Sequence, residues 1–184
     1  MSLKNTLNGY GSVARFFHWV IFLLVLILIV VGFIMVGIED KALKAQIVNV
    51  HKLTGLLVLT LMILRGLWAL MNVKPLLPFG TPDWEKVAER GMHYLLYLGL
   101  IIMPLSGWLG STWAGRFPHL GDISFKLPLV PNEDLAGFAF ENVHIPLAFI
   151  LIALVSLHAC AALYHHFIKK DNVLRRMLLG REDF

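Results

Sequence analysis

The chain has 184 residues, of which 58% are hydrophobic and only 15% are charged, whereas about 25% of the residues in an average soluble domain are charged. With a mean hydropathy of +0.72, a chain of this length excludes a sizeable soluble domain beside its apolar runs and indicates one membrane domain over residues 1–184. The single cysteine, Cys160, excludes a disulfide framework, a thiolate-ligated iron–sulfur cluster and a covalent C-x-x-C-H haem site.

Four apolar runs are long enough to cross the hydrocarbon layer of a membrane, which takes about 20 residues of helix. They predict helices over about 14–38, 48–71, 91–113 and 141–168. Because the runs lack the period-two alternation of a membrane barrel, the sequence predicts an all-α membrane protein, a bundle of four transmembrane helices. The hydroxyl of Thr81 before Pro82 also predicts a capped short helix that leads into the third crossing.

The distribution of positive charge predicts the orientation of the bundle in the membrane. Four crossings put both termini on one side. The two tails and the link between the second and third helices hold eleven of the sixteen basic residues: Lys4, Arg15, Arg65, Lys74, Lys86, Arg90, Lys169, Lys170, Arg175, Arg176 and Arg181. The other two loops hold Lys41, Lys44, Lys52, Arg116 and Lys126. This excess predicts that both termini are cytoplasmic. It also explains the pI of about 9.3 without nucleic-acid binding.

Eight histidines are the conspicuous chemistry of the chain, and an ionisable side chain inside a crossing is a functional hypothesis because its burial in lipid is unfavourable. His144 and His158 are 14 residues apart on the fourth helix. That spacing places them on nearly one face and about 21 Å apart along the axis. His18 lies near the inner end of the first helix and His51 near the outer end of the second. Depth therefore pairs His51 with His144 and His18 with His158.

Paired imidazoles on separate helices of a bundle are the ligation that a six-coordinate haem b requires. Zinc is a competing occupant, but it prefers three or four clustered ligands, so two distant pairs favour two flat cofactors. Small residues leave room for a macrocycle or simply let helices approach: Gly55, Gly107 and Gly110.

The other polar residues near the crossings are less specific. Arg65, 14 residues after His51, is expected at the inner depth, either beside a haem propionate or as a snorkelling interfacial arginine. His93, His165 and His166 are expected near the inner surface and stay open as inner ligands. Of these, His165 faces the same way as His158 and could contact the inner haem or a quinone head group. His119, in the long outer loop, is expected at the surface.

Taken in order, these motifs resemble the bacterial cytochrome b561 family, the small four-helix di-haem b proteins of the inner membrane. The resemblance spans nearly the whole chain and rests on Tyr10-Gly11, Phe17-His18-Trp19, His51-Lys52 with Gly55, Arg65-Gly66-Leu67-Trp68, His93 with Tyr97, Ser106-Gly107, His144, His158, residues 165–172 and Leu174-Arg175-Arg176-Met177. It implies two non-covalent haem b groups whose axial ligands are His18, His51, His144 and His158. It thereby implies that His18 and His158 are the ligands of the inner haem, a choice for which depth alone left several histidines as candidates.

The resemblance also implies an activity similar to that of a superoxide oxidase, which passes electrons from periplasmic superoxide, or another periplasmic donor, to ubiquinone in the lipid. Superoxide yields one electron and a quinone needs two, so two haems in series suit the reaction. Lys52, next to His51, is expected to steer the anion, whereas Arg116 and Lys126 are expected to be solvated loop charges. Two alternatives stay open: a non-enzymatic haem b subunit that anchors a partner dehydrogenase or hydrogenase, and a histidine-lined metal transporter.

Overall fold

The structure, a computed structural model, describes residues 2–180 and contains, within that range, four helices long and apolar enough to cross a membrane. The first three are α1 (Ser12–Ile34, continued by a 3-10 turn, Met35–Gly37), α2 (Lys41–Leu70) and α3 (Asp83–Trp113). The fourth span joins α4 (Glu133–Gly137), a π-helical segment (Phe138–His144), α5 (Ile145–Tyr164) and a second π-helical segment (His165–Lys169). The predicted all-α bundle of four membrane helices is confirmed. Arg181 lies outside the described residues.

The second helix begins well before the apolar run that predicted it. Asp40 caps this helix, because its carboxylate accepts a hydrogen bond of 2.7 Å from the backbone N–H of Leu43, and such a cap satisfies one of the free donors of the first turn. His51 therefore lies about 15 Å along the axis from Lys41. His51 is therefore an interior residue of this helix and does not lie in its first turn.

The third helix is continuous with the short helix that was expected to precede it. It begins at Asp83, and the acidic side chains of Asp83 and Glu85 in its first turn suit the positive end of the helix dipole. The expected hydroxyl cap is absent, because the Thr81 hydroxyl donates to the carbonyl oxygen of Pro78 at 2.7 Å. The polar segment and the apolar crossing thus form one helix.

The helices pack in sequence order, and the last one leaves space on one side. A core of Ile21 and Val25 from α1 with Val58 and Met62 from α2 joins the first two helices. Next, α2 packs on α3, and α3 packs on α5. Over the described residues, α5 approaches α1 and α2 at no more than isolated points. His51 and His144 line a cavity in the space that remains.

Loops tie the helices together at both ends of the bundle. We call the end that carries the 114–132 loop the outer end and the end that carries both termini the inner end. At the outer end, a hairpin of β1 (His119–Leu120) and β2 (Ile123–Ser124) is held to α2 by Asn49, which exchanges hydrogen bonds of 2.8 and 3.0 Å with the backbone of His119. At the inner end, the short helix α6 (Val173–Leu179) is held to α1 by a hydrogen bond of 3.1 Å from Trp19 Nε1 to the Met177 carbonyl oxygen.

Candidate cofactor sites

An outer pair of histidines faces a large apolar cavity. His51 of α2 and His144 at the end of the first π-helical segment have ring centres 6.4 Å apart. Both rings line a cavity of about 540 Å³ whose walls come from all four spans and are mostly apolar. Cofactor and ligand sites are typically apolar cavities of about 300–1,000 Å³ with a few polar groups. The outer pair therefore stands in a space of the right size and character for a bound organic cofactor.

Glycines form part of the wall of this outer cavity. A Cβ atom at Gly107 would lie 3.0 Å from Cε1 of His144, and one at Gly32 would lie 3.7 Å from Cε1 of His51. Gly55 also lines the cavity. Gly110 instead makes room for a side chain, because a Cβ there would lie 2.8 Å from the ring of Phe140. Two of the three glycines singled out from the sequence thus border the cavity, and the third seats an aromatic ring beside it.

The two outer imidazoles differ in what holds them. Nδ1 of His144 lies 3.1 Å from the Ser106 hydroxyl and 3.2 Å from the Met103 carbonyl oxygen, both on α3. Nδ1 of His51 is buried and has no hydrogen-bond partner among the described residues. An unpaired buried nitrogen is unfavourable, which is consistent with a ring whose bonding is completed by a group that the chain itself does not supply.

Two cations stand at the edge of the same cavity. Lys52 and Arg116 both line it, and Lys52 Nζ donates a hydrogen bond of 2.7 Å to the Arg116 carbonyl oxygen. Arg116 also borders a second, more polar cavity of about 550 Å³ with Glu133 and Glu141. Arg116, expected to be a solvated loop charge, is exposed and also lines both cavities. Lys126 is exposed in the loop, as expected.

An inner cluster of three histidines lies toward the other end of the bundle. The ring centres of His18 on α1 and His158 on α5 are 6.2 Å apart, and those of His93 on α3 and His158 are 5.4 Å apart. Within residues 2–180, no group of three or more His, Cys, Asp or Glu side chains is arranged to hold a metal ion. The inner cluster is thus a set of ring pairs.

Ring spacing provides a test of which pairs suit a metal between them. A bond of about 2.0–2.1 Å from each side, with each ring centre about 1 Å beyond the bonded nitrogen, sets the two centres about 6 Å apart. The His51–His144 spacing of 6.4 Å and the His18–His158 spacing of 6.2 Å fit this value. The His93–His158 spacing of 5.4 Å is shorter. The residues present therefore fit two bis-imidazole sites, one toward each end.

Charged and phenolic groups surround the inner pair. A guanidinium nitrogen of Arg65 lies 3.4 Å from Nδ1 of His18, and its central carbon lies 5.4 Å from the ring centre of Tyr97. The His93 ring is held by Glu89, whose carboxylate lies 2.9 Å from Nδ1. In the N-terminal segment, burial raises the pKa of the Tyr10 phenol above its ordinary value of 10.0, and the nearby Glu89 carboxylate raises it further. The inner histidines therefore lie among a guanidinium, a carboxylate and phenol groups.

The remaining histidines expected near the inner surface occupy the last turn of the fourth span. Nδ1 of His165 bonds the carboxylate of Asp171, and its ring touches that of Tyr164. His166 packs on Phe167, and its Nδ1 has no hydrogen-bond partner in the described part of the chain. Neither histidine makes a ring contact with His18 or His158 among the contacts of residues 2–180. The turn thus places them beside the inner site, outside its ring cluster.

Sequence reasoning assigned no role in these sites to three residues that shape them. Ser106 and Met103 lie on a different helix from His144, so no spacing along the chain reveals their contact. Glu89 was hidden because the polar start of α3 was expected to be a separate helix. A partial signal existed for Glu89, since it stands four residues before His93 and such pairs are neighbours on a helix face.

Comparison with known proteins agrees with this arrangement over nearly the whole chain. The family described as prokaryotic cytochrome b561 matches residues 9–180. Cytochrome b561 homolog 2 of Escherichia coli (strain K12) is 33% identical over 183 residues, which cover 97% of this chain and 95% of the relative. Two others are similar over most of their length: the probable superoxide oxidase CybB of Yersinia pestis (30% identical over 174 residues, 88% of this chain and 90% of the relative) and cytochrome b562 of Cereibacter sphaeroides (31% over 187 residues, 94% and 97%). The chain therefore belongs to the prokaryotic cytochrome b561 family, whose members are membrane proteins that bind haem b and transfer electrons.

Proposed function

We propose that this protein is a di-haem b oxidoreductase that transfers electrons from superoxide at its outer end to ubiquinone in the membrane. In this proposal His51 and His144 hold the outer haem, and His18 and His158 hold the inner haem. The observation that carries it is the spacing of the two ring pairs, 6.4 and 6.2 Å, which suits a metal between each pair. The apolar cavity at the outer pair supports the same assignment.

The stoichiometry of the reaction suits two one-electron centres. Two superoxide ions lose one electron each and become two molecules of oxygen, while one ubiquinone takes up two electrons and two protons. Haem iron, when bound, supplies reversible one-electron chemistry, so two haems can hold the electrons that a quinone needs together. The relative named as a probable superoxide oxidase supports this choice of donor.

Two cationic side chains would favour an anionic electron donor at the outer cavity. Lys52 and Arg116 line that cavity, and positive charges on the wall of a low-dielectric cleft raise the association rate of an anion. Glu133 and Glu141, on the neighbouring cavity, oppose this attraction on one side of Arg116. We therefore propose that Lys52 is the more effective of the two in steering superoxide.

Two residues of the inner end are proposed to contact the inner cofactor or the quinone. A guanidinium nitrogen of Arg65 lies 3.4 Å from Nδ1 of His18, and a guanidinium carries five N–H donors, so Arg65 can donate to a propionate of the inner haem. His165 has its Nδ1 bonded to Asp171, so only Nε2 is left for a quinone head group or the inner haem.

We also propose that both termini are cytoplasmic, because eleven of the sixteen basic residues lie on the side of the bundle that carries the termini.

The test uses the purified holoprotein with a short-chain ubiquinone and an enzymatic source of superoxide. We expect superoxide to reduce the haems and ubiquinol to form, one per two superoxide ions, with no partner protein present. Added superoxide dismutase should abolish both signals. If dithionite reduces the haems but superoxide does not, the proposal is wrong and the non-enzymatic subunit that serves a partner dehydrogenase is favoured. A protein without a haem absorption band would point to the metal transporter.

A charge substitution tests the steering role. We expect Lys52→Gln to slow haem reduction by superoxide a few-fold, a part of the roughly 10- to 1000-fold that a charged cleft supplies. The difference should shrink at about 1 M salt, where exposed charges are screened. Lys52→Arg should keep the wild-type rate. Lys126→Gln, which removes the same charge from the exposed part of the outer loop, is the matched control, and an equal effect of both glutamine variants would refute a specific role for Lys52.

A further inference from the structure

The contacts of His144 determine which of its two ring nitrogens carries the proton. Its Nδ1 lies 3.2 Å from the Met103 carbonyl oxygen and 3.1 Å from the Ser106 hydroxyl oxygen. A carbonyl oxygen has no proton to give, so a stable contact at this distance requires a proton on Nδ1. A neutral imidazole carries one proton, and Nε2 is then unprotonated and has its lone pair free.

Ser106 fits this arrangement as an acceptor. Its hydroxyl donates its single proton to the Met103 carbonyl oxygen at 2.8 Å, which leaves the lone pairs of Oγ to accept from His144. The residue is 5% exposed, so water does not compete freely for these bonds. The N–H of His144 is therefore shared between two acceptors that are themselves linked.

The backbone of α3 holds the ring against these acceptors. A Cβ at Gly107 would lie 3.0 Å from Cε1 and 3.3 Å from Nδ1 of His144. A side chain at this position would push the ring away by a few tenths of an ångström, so a glycine suits this close approach. The imidazole of His144 is thus held on α3 by Met103, Ser106 and Gly107. The imidazole of His51, across the cavity, has no comparable contacts at Nδ1, which has no hydrogen-bond partner among residues 2–180.

We infer that Ser106 is a positioning residue for the outer haem: it holds the Nδ1–H of His144 and presents Nε2 to the iron. This inference rests on the proposed function, in which His144 is an axial ligand. Partners of the second ring nitrogen fix the tautomer of a ligating histidine and raise its basicity. A more basic ligand stabilises the oxidised, more positively charged iron. Ser106 therefore lowers the reduction potential of the outer haem and strengthens its retention.

The test compares two buried hydroxyl groups of the same helix. Ser106→Ala removes the acceptor, whereas Thr112→Val removes a buried hydroxyl that bonds the Trp108 carbonyl oxygen at 2.9 Å, at a residue that does not line the cavity. We expect Ser106→Ala to raise the midpoint potential of one of the two haems in a spectroelectrochemical titration. We also expect it to weaken haem retention by about tenfold, the low end of the usual range, because the Met103 carbonyl remains. Thr112→Val should leave both values unchanged.

Rescue separates positioning from simple packing. Ser106→Thr should restore the wild-type potential, because a threonine hydroxyl on a helix can bond the carbonyl of the residue three or four positions earlier. If Ser106→Ala does not accumulate, Ser106→Cys, which keeps the volume and accepts weakly, should shift the potential in the same direction by less. Unchanged potentials in Ser106→Ala and Ser106→Cys, or equal shifts in Ser106→Ala and Thr112→Val, would overturn the inference.

His144→Ala makes a failure of this inference distinguishable from a failure of the proposed function. Loss of one haem in His144→Ala, together with wild-type behaviour of Ser106→Ala, would overturn the role of Ser106 and leave the ligand assignment standing. Two haems retained in His144→Ala would overturn the assignment itself, and the role of Ser106 with it. The haem content and the potentials are both measured without turnover.

Discussion

Single substitutions at the four proposed ligands test the pairing directly. Each ring pair is separate in space, because His144 and His158 are 14 residues apart and hence about 21 Å apart along the fourth span. Removing one imidazole of a pair should therefore release only the haem of that pair. We expect His51→Ala and His144→Ala to lose the same haem, and His18→Ala and His158→Ala to lose the other.

The expected magnitude is a loss of half of the bound haem in each variant. A pyridine haemochrome assay should fall from about two haems per chain to about one, as two bis-histidine centres require. The remaining α band should be the same for the two members of a pair and different between pairs. A redox titration of each variant should show one step, where the wild-type protein shows two.

His93 provides the sharpest control for the inner site. Its ring centre is nearer to His158 than that of His18, 5.4 against 6.2 Å, yet the shorter distance suits a metal between the rings less well. We expect His93→Ala to keep two haems, because Glu89 and not a metal holds this ring. If His93→Ala lost a haem while His18→Ala kept both, the reasoning from ring spacing would be refuted.

Two further substitutions test the packing. Gly99→Ala places a Cβ 2.7 Å from Cδ2 of the buried Leu151 and should lower the free energy of unfolding by about 1–3 kcal/mol through overpacking. Gly91→Ala on the same helix is the control, because a Cβ there meets no side chain within 4 Å, and it should not lower stability. Equal thermal unfolding midpoints of the two variants in detergent would contradict this. Trp19→Phe removes the donor to the Met177 carbonyl oxygen and should lower the free energy that holds α6 on α1 by about 1 kcal/mol. Trypsin should then cleave within α6 roughly fivefold faster. Unchanged cleavage would show that this bond does not anchor the helix.

The sequence predicted the number of membrane helices well because that number depends on local composition. An apolar run of about 20 residues cannot remain in water and must satisfy its backbone hydrogen bonds inside lipid, which a helix does. The ends of the helices were less predictable. The segments 41–47 and 83–90 carry charged residues and belong to no long apolar run, yet they are helical because Asp40 caps one helix and the first turn of the other is acidic.

The sequence predicted the height of each candidate ligand along the bundle axis, but it did not predict which side chains are neighbours across the bundle. Helix rise fixes the height of each histidine, so the pairs His51 with His144 and His18 with His158 followed from counting residues. The close approach of His93 to His158 did not follow, because it depends on which helices are neighbours and how each is rotated. The same limit concealed the contact of Ser106 with His144.

By itself, the sequence determined that the chain is a four-helix membrane protein and at what heights its imidazoles stand, because hydrophobicity and helix rise act along the chain. The tertiary structure decided which rings face one another, which nitrogen of His144 is held, and where the cavity opens between the fourth span and the other helices. These features arise from side chains on different helices, and their distances are set by packing, which no pattern along a single helix encodes.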